Sequence, residues 1–188
     1  MTSQHAKKWR ALGRRARLVG AGFAAAAVLP ATASAACTGT QRIVNSGFET
    51  GTAPWVQTGV VVKPDQNGIN AYGNWYAGLK YNGDTITQTV TLEPGCPNYK
   101  LRYGLKVFHT FWTSLIYDKL IVTVTAANGT VWTVQGANNL TETGTLWSWK
   151  SIYFPNLMGP TVTFRFSTTQ NATYPTHFVM DDVTLRPY

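Results

Sequence analysis

Apolar and polar residues alternate in short runs from residue 55 onward, the pattern of strands that have one face in a core and the other in solvent. The alternation is clearest in the run 99–107, where Tyr99, Leu101, Tyr103, Leu105 and Val107 alternate with Lys100, Arg102, Gly104 and Lys106. Similar runs predict strands at 55–62, 74–80, 85–92, 99–107, 117–126, 130–135, 147–154, 161–167 and 177–185. The pattern indicates no amphipathic helix in this part of the chain.

Turn-forming pairs separate the predicted strands, among them Pro94-Gly95, Asn128-Gly129 and Gly159-Pro160. Many short strands with turn signals at this spacing predict an all-β fold, a two-sheet antiparallel sandwich. Periodicity alone does not distinguish a jelly roll from an immunoglobulin-like sandwich. The pattern shows no internal repeat and no second domain.

The first 35 residues predict a signal peptide, which leaves one domain at 36–188. A basic stretch precedes an apolar run at 18–29 that is too short to span a bilayer, and Ala33-Ser34-Ala35 fits a cleavage site. Arg14-Arg15 leaves the route open between general secretion and twin-arginine export. We therefore expect a secreted, extracellular protein with no membrane association after cleavage.

Removal of this leader changes the charge of the protein. The chain has a formal net charge of +8, but six of its 16 basic residues lie in the leader and none of its eight acidic residues does. The mature domain is therefore close to neutral, at about +2. No basic stripe is visible, and a nucleic-acid partner is not expected.

The chain has two cysteines, Cys37 and Cys96. In an exported protein such a pair predicts one disulfide, the alternative being two free thiols. The absence of a CxxC motif and the small number of histidines argue against a zinc site.

The last predicted strand contains two adjacent carboxylates, Asp181 and Asp182. Strand alternation predicts that Asp181 shares an apolar, buried face with Val179, Val183 and Leu185. A buried carboxylate requires a cationic partner, so this position predicts a metal or an ion pair. The segment 45–51 is a candidate second contributor, which would bring the two ends of the domain together. The alternative is that both aspartates end an edge strand in solvent.

Three motifs carry a resemblance to a known family. Asn45-Ser46-Gly47-Phe48-Glu49-Thr50-Gly51 opens the domain, Gln88-Thr89-Val90-Thr91-Leu92 follows, and 178–185 closes it with Asp-Asp-Val. In this order they resemble galactose-binding-like jelly-roll modules, which include carbohydrate-binding modules and accessory domains of secreted bacterial hydrolases and metalloproteases. The resemblance implies a jelly-roll sandwich. It also implies a structural calcium held by Glu49, Asp181 and the carbonyl of Gly47, a set of hard oxygen ligands that suits this ion.

No catalytic motif is present: the sequence lacks HExxH, GxSxG and a phosphate-binding loop. The two histidines of the domain, His109 and His177, are more readily explained as structural residues. We therefore expect a protein that is not an enzyme.

Aromatic residues are the strongest binding candidates. Trp147, Trp149 and Tyr153 share one face of a predicted strand, and Ile152 and Phe154, which suit a core, share the other. Outward tryptophans would form a surface on which sugar rings stack, although the same tryptophans would also fit a core. Further candidates are Trp112, Trp75 and Tyr81, of which Trp75 is more readily explained as a core residue.

Three functions follow from these features. The first is a secreted, non-catalytic carbohydrate-binding module whose partner is a polysaccharide or glycan. The second is a domain of the same fold that binds another secreted protein and has no sugar site. The third, with the least support, is a small polysaccharide-degrading enzyme. The position of Trp147 and Trp149 in the fold distinguishes the first two.

Overall fold

The computed structural model describes residues 37–59, 61–65, 68, 69, 71–109, 114–141, 146–157 and 159–188. The predicted leader therefore lies outside the described residues. In chain order the strands are β1 (Val56–Thr58), β2 (Val62–Pro64), β3 (Trp75–Leu79), β4 (Thr85–Thr91), β5 (Tyr99–Phe108), β6 (Lys119–Ala126), β7 (Val131–Asn138), β8 (Ser148–Phe154), β9 (Thr161–Thr169) and β10 (His177–Pro187). Within the described ranges no helix is long and apolar enough to cross a membrane.

The strands form two five-stranded antiparallel sheets. The first sheet has the order β1-β4-β9-β6-β7, and the second has the order β2-β3-β10-β5-β8. Consecutive strands mostly alternate between the sheets, so the chain winds around the core. The predicted all-β, two-sheet antiparallel sandwich is confirmed.

The core lies between the two sheets. Phe154 of the second sheet contacts Phe164 of the first edge to face, with ring centroids 6.0 Å apart, and Tyr103 contacts Phe166 in the same way at 5.3 Å. The predicted inner residues of the run 99–107 are all buried. Alternation therefore identified the inner face of β5 correctly.

The predicted strand 55–62 is wrong, because this segment forms two strands in different sheets. β1 pairs with β4 in the first sheet, and β2 pairs with β3 in the second. Between them Gly59 has a φ of +81°, a conformation that side chains disfavour. The chain leaves one sheet and enters the other at this point, which the alternation of residue types does not reveal.

The two ends of the domain meet, as expected. Arg42 N donates to the Leu185 carbonyl over 2.9 Å, and Val183 N donates to the Ser46 carbonyl over 2.9 Å. The disulfide predicted between Cys37 and Cys96 is confirmed, with Cα atoms 5.5 Å apart. It links the first described residue to the segment that precedes β5.

A β-bulge in β10 corrects the predicted orientation of Asp181. The pairing with β5 shifts between Asp181 and Thr184, where Asp182 has a φ of +48°. The bulge inverts the alternation, so Val183 and Leu185 face the core, whereas Asp181 and Val179 lie on the opposite face of the sheet. Asp181 is nevertheless fully buried, at 0% exposure.

Candidate functional site

The outer face of the second sheet is organised in rows across β8, β5 and β10. Trp149 pairs with Gly104, which pairs with Asp181; one row further along, Ser151 pairs with Arg102, which pairs with Thr184. The next row consists of Tyr153, Lys100 and Arg186. Because paired residues lie on the same face, all of these positions point away from the core.

Trp147, Trp149 and Tyr153 lie on this outer face, as the alternation predicts. Trp149 is 39% exposed and Tyr153 is 55% exposed, while Phe154 is buried and Ile152 packs against the core. Strand alternation therefore assigned β8 correctly.

A fourth aromatic residue, Tyr72, comes from the loop that precedes β3. Its ring contacts Trp147 at a centroid distance of 5.1 Å and stacks on Trp149 at 5.2 Å, and it is 52% exposed. We call Tyr72, Trp147, Trp149 and Tyr153 the aromatic face. Trp149 and Tyr153 lie on β8, Trp147 directly precedes it, and Tyr72 comes from a loop far from them in sequence.

Gly104 makes room for this packing. A Cβ atom at this position would lie 3.1 Å from Tyr72 Cε2 and 3.2 Å from Trp147 Cε3, closer than such contacts usually are. The missing side chain thus lets two rings approach the backbone of β5. This is the use of glycine in a strand for close approach of a neighbouring group.

Basic side chains alternate with the rings. Arg102 Cζ lies 3.8 Å from the centroid of the Trp149 ring, and Lys106 Nζ lies 4.9 Å from that of Trp147. Lys100 Nζ lies 5.2 Å from the centroid of Tyr153. These are cation–π distances, and the cations therefore support the orientation of the rings.

The loop that carries Tyr72 is held by hydrogen bonds along its length. Asp65 accepts bonds from Ile69 N at 3.0 Å and Ala71 N at 2.9 Å, and Lys106 Nζ donates to the Ile69 carbonyl. Tyr72 N donates to Asp181 Oδ2 over 2.8 Å. The position of the Tyr72 ring thus depends on backbone contacts on both sides of it.

The end of the same loop is bound by Glu49. Its carboxylate accepts bonds from Asn74 N at 3.0 Å and from Trp75 N at 3.1 Å. A side chain at Gly73 would collide with this carboxylate. The segment 45–51 therefore contacts the loop directly, which joins the predicted metal residues to the aromatic face.

Asp181 is the most perturbed acid of the described residues. Burial, followed by the nearby charges of Asp182 and Glu49, raises its pKa to about 6, although hydrogen bonds from Tyr72 N and Asp182 N act in the opposite direction. The ion pair of the described residues, Arg42–Glu93, does not involve it. A buried acid with two acidic neighbours is an environment that a cation would stabilise.

The predicted metal residues are consistent with a calcium ion in their chemistry. A Cβ atom on Gly47 would lie 3.5 Å from Asp181 Oδ1 and 3.8 Å from Glu49 Cγ, so the Asp181 carboxylate and the aliphatic part of Glu49 lie beside this glycine. An ionised carboxylate has about four lone-pair positions; Asp181 accepts two hydrogen bonds and keeps positions free, whereas Glu49 accepts four contacts from Asn74 and Trp75. Among the described residues no group of three or more His, Cys, Asp or Glu side chains could hold a metal. Backbone carbonyls would therefore have to supply the remaining ligands.

The other predicted site residues lie elsewhere. Trp75 packs against the core, in agreement with its interpretation as a core residue. Tyr81 lies in the turn between β3 and β4 and is exposed, with Lys80 near its ring. Trp112 lies outside the described residues. The structure therefore groups Trp147, Trp149 and Tyr153 but does not bring Trp75 to them.

His177 is placed as a structural residue. It lies on β10 near the rings of Tyr76 and Phe108, with centroids 6.5 Å and 6.2 Å away. Burial, followed by the charges of Lys63 and Lys80, lowers its pKa to about 4. The lowered pKa keeps this half-buried imidazole neutral near pH 7.

Sequence reasoning missed Tyr72 and Gly104 as parts of the site. The alternation of 99–107 does indicate that Gly104 and its basic neighbours point outward. However, the pairing of β5 with β8 that places them beside the tryptophans is a long-range property. For Tyr72, no local pattern indicates where its loop lies.

No family model and no curated sequence matches the chain. Solved structures do match the chain. The family 61 carbohydrate-binding module TmCBM61, in complex with β-1,4-galactotriose, matches with a TM-score of 0.60 and 19% identity, covering 79% of this chain and 99% of that one. The chain has the jelly-roll fold of carbohydrate-binding modules.

Two further modules support this assignment of the fold. The CBM22-1 xylan-binding domain of Paenibacillus barcinonensis Xyn10C matches with a TM-score of 0.51 and 18% identity, covering 81% of this chain and 97% of that domain. A family 16 carbohydrate-binding module matches with a TM-score of 0.50 and 24% identity, covering 76% and 97%. At these identities the similarity concerns the fold.

Proposed function

We propose that this chain is a secreted, non-catalytic carbohydrate-binding domain that binds a glycan on its aromatic face. The observation that carries the proposal is that Tyr72 contacts Trp147 and Trp149 on the outer face of the second sheet, with Tyr153 exposed on the same face. Large exposed rings in one patch are unfavourable in water and usually mark a binding site. That structures with this fold include complexes with galactotriose and xylan-binding domains supports a glycan as the ligand.

The geometry indicates which rings would contact the sugar and which would hold a neighbouring ring in place. Trp149 has two stacking partners, Tyr72 and Arg102, so part of its ring surface is already in contact. Tyr72 and Tyr153 are more exposed than Trp149, with Lys100 over the Tyr153 ring and Tyr188 in edge-to-face contact with it at 5.3 Å. Sugar rings would therefore stack on the two tyrosines, while Trp147 and Trp149 hold Tyr72 in place.

The test is retention of purified protein on a panel of polysaccharides, followed by titration of those that bind. We expect Trp149→Ala to weaken binding by about tenfold or more, as at a binding hot spot. It should cost only about 1 kcal/mol of folding stability, the size of an aromatic pair interaction at a partly exposed site. Tyr117→Ala, which removes an exposed ring outside the aromatic face, is the matched control and should bind normally.

Two outcomes would contradict the proposal. If Trp149→Ala binds every retained glycan as the wild type does, the aromatic face is not the site. If no glycan is retained at all, a protein-interaction domain of the same fold becomes the better explanation.

We further propose a structural calcium held by Glu49, Asp181 and the Gly47 carbonyl. Its support is the burial of Asp181 next to two other acids and the position of the Asp181 carboxylate and the Glu49 side chain beside Gly47. The ion would neutralise these charges and hold the segment 45–51 against β10. Chelation should lower the melting temperature, calcium should restore it, and elemental analysis should find one equivalent bound. An unchanged melting curve in chelator, with no metal in the protein, would refute it.

We also propose that the leader directs export and is removed after Ala35. The disulfide between Cys37 and Cys96 supports this proposal, because such bonds persist mainly in oxidising compartments. The mass of the protein recovered from culture medium should correspond to a chain that begins at Ala36. A chain that keeps its leader in the medium would contradict the proposal.

A further inference from the structure

Three basic residues on the outer face of the second sheet form a group beside the aromatic face. Lys100 pairs with Arg186 across β5 and β10, and Arg102 lies two residues along from Lys100. Strand geometry places neighbouring strands about 4.8 Å apart and residues i and i+2 about 6.8 Å apart. The three side chains therefore lie within one small area of the surface.

These cations have no carboxylate partner among the described residues, whose ion pair is Arg42–Glu93. They line a groove of about 430 Å³ together with Thr184, Asp182 and Tyr188. Asp182 is the single acid of this lining. The groove thus has an excess of positive charge in a domain that is otherwise close to neutral.

Contact with the aromatic rings accounts for only two of these three basic side chains. Arg102 stacks on Trp149 and Lys100 on Tyr153, so these two side chains have a packing role. Arg186 is exposed and lies in the groove, and none of the described cation–π contacts includes it. A third cation that stacks on no ring points to a ligand that carries negative charge.

We infer that the face binds an anionic polysaccharide, one whose sugar rings carry carboxylate or sulfate groups. This inference rests on the proposed function and names the class of glycan. Rings of the polymer would contact Tyr72 and Tyr153, while its anionic groups would reach Lys100, Arg102 and Arg186. Arginine favours such groups because its planar donors bond two oxygens at once, and Thr184 adds a hydroxyl at the same groove.

The experiment compares polymers that differ in charge and little else. Polygalacturonate is measured against its methyl ester, and a sulfated galactan against an unsulfated galactan, by affinity electrophoresis and titration calorimetry at low salt. We expect the protein to bind at least one charged polymer about tenfold tighter than its neutral counterpart, as three exposed ion pairs would provide. The preferred pair shows whether carboxylate or sulfate is the natural group.

Charge variants then locate the effect. Arg186→Gln should weaken binding of the charged polymer about two- to fivefold and leave binding of the neutral polymer unchanged. Arg102→Lys, which keeps the charge but loses the paired planar donors, should retain part of the preference. Arg165→Gln removes an exposed cation from the first sheet and is the matched control. Salt at 0.5 M should abolish the preference, because exposed charges are screened over a few ångströms at this concentration.

The outcomes separate this inference from the proposed function. If neutral and charged polymers bind equally, or if Arg186→Gln keeps the full preference, the inference is wrong and the carbohydrate-binding proposal stands. If no polymer binds, both fail. If double-stranded DNA binds as tightly as the charged polysaccharides, the groove is a general polyanion surface and the assignment to a glycan is overturned.

Discussion

The two sheets have outer faces of very different composition. On the first sheet the outward positions of β4 and β9 are mostly threonines, and Thr89 and Thr163 join across the strands with a hydroxyl contact of 2.8 Å. On the second sheet the corresponding surface contains the aromatic face, three basic side chains in a groove and the gap at Gly104. Both surfaces cover inner faces of buried hydrophobic residues.

This difference distinguishes the outward residues that a stable fold requires from those that a ligand would require. A row of threonines satisfies strand propensity and solubility at no further cost, so the fold does not require outward rings. The second sheet has such rings and also an additional loop that lays Tyr72 over them. The features found on one outer face alone are therefore the ones to assign to binding.

The largest expected effect is a loss of folding stability from a substitution on the inner face of the first sheet. Phe164→Ala removes a fully buried ring between the sheets and should lower the free energy of unfolding by about 3–5 kcal/mol. Its outward neighbour Thr163→Ala should change it by less than about 0.5 kcal/mol. Denaturant titration of both variants gives the comparison. A large loss for Thr163→Ala would mean that the threonine face has a role of its own.

The next effect concerns Asp181 and pH. Because its folded pKa of about 6 lies above the ordinary 3.8, the folded protein keeps a proton that the unfolded chain has lost. In chelator, this group should therefore reduce the free energy of unfolding as pH rises from about 4 to about 6, by at most about 3 kcal/mol. Saturating calcium should remove much of this loss.

The measurement must isolate Asp181. His177, whose pKa is lowered to about 4, makes the opposite contribution over the same range, because the unfolded chain binds a proton that the folded state does not. The observable is therefore the stability of the wild type minus that of Asp181→Asn, at pH 4 and pH 7. A difference that does not vary with pH in chelator would show that Asp181 is not perturbed.

A smaller effect is expected for the loop ring. Tyr72→Ala should weaken glycan binding about tenfold, because it removes the exposed ring that stacks on Trp149. Tyr72→Phe keeps the ring and should bind within about threefold of the wild type, if stacking rather than the hydroxyl carries the interaction. Titration calorimetry distinguishes the two variants. Equal losses in both would assign the contribution to the hydroxyl.

The smallest expected effect on binding concerns Gly104. In Gly104→Ala the new methyl group would press on the exposed Tyr72 ring and the half-buried Trp147 ring, which would have to shift by a few tenths of an ångström. We expect binding to weaken about two- to threefold, with a stability change below about 1 kcal/mol. Gly129→Ala, whose Cβ would meet no atom within 4 Å, controls for the loss of glycine elsewhere, although its φ of +83° adds strain. Unchanged binding in Gly104→Ala would show that ring position is not critical.

The alternation of apolar and polar residues correctly predicted those features of the fold that depend on residues close together in the sequence. It assigned both faces of β5 and β8 correctly, because each of these strands is regular over its length. It failed at β10, where one bulge reverses the faces beyond Asp181, and at 55–62, where the chain changes sheets at Gly59. A bulge and a crossover each depend on tertiary pairing, which the order of residue types does not record.

The site was predicted in part for the same reason. Trp147, Trp149 and Tyr153 follow from the parity of one strand, whereas the position of Tyr72 depends on long-range contacts of its loop, among them the bonds to Asp181 and Glu49. The resemblance to jelly-roll modules singled out these two carboxylates as metal residues. It gave no indication that they also position Tyr72, a residue of the proposed binding face.

The loop that leads into β3 would thereby connect two binding equilibria, that of the proposed glycan and that of the proposed calcium ion. Its Tyr72 ring belongs to the aromatic face, and its backbone at Tyr72, Asn74 and Trp75 donates to the carboxylates proposed to hold calcium. Any factor by which the ion increases affinity for the glycan must equal the factor by which the glycan increases affinity for the ion, since binding free energies are reciprocal. In calcium-poor surroundings the domain would release its ligand more readily, and the ambient calcium concentration would then set how firmly the protein stays attached to its polymer.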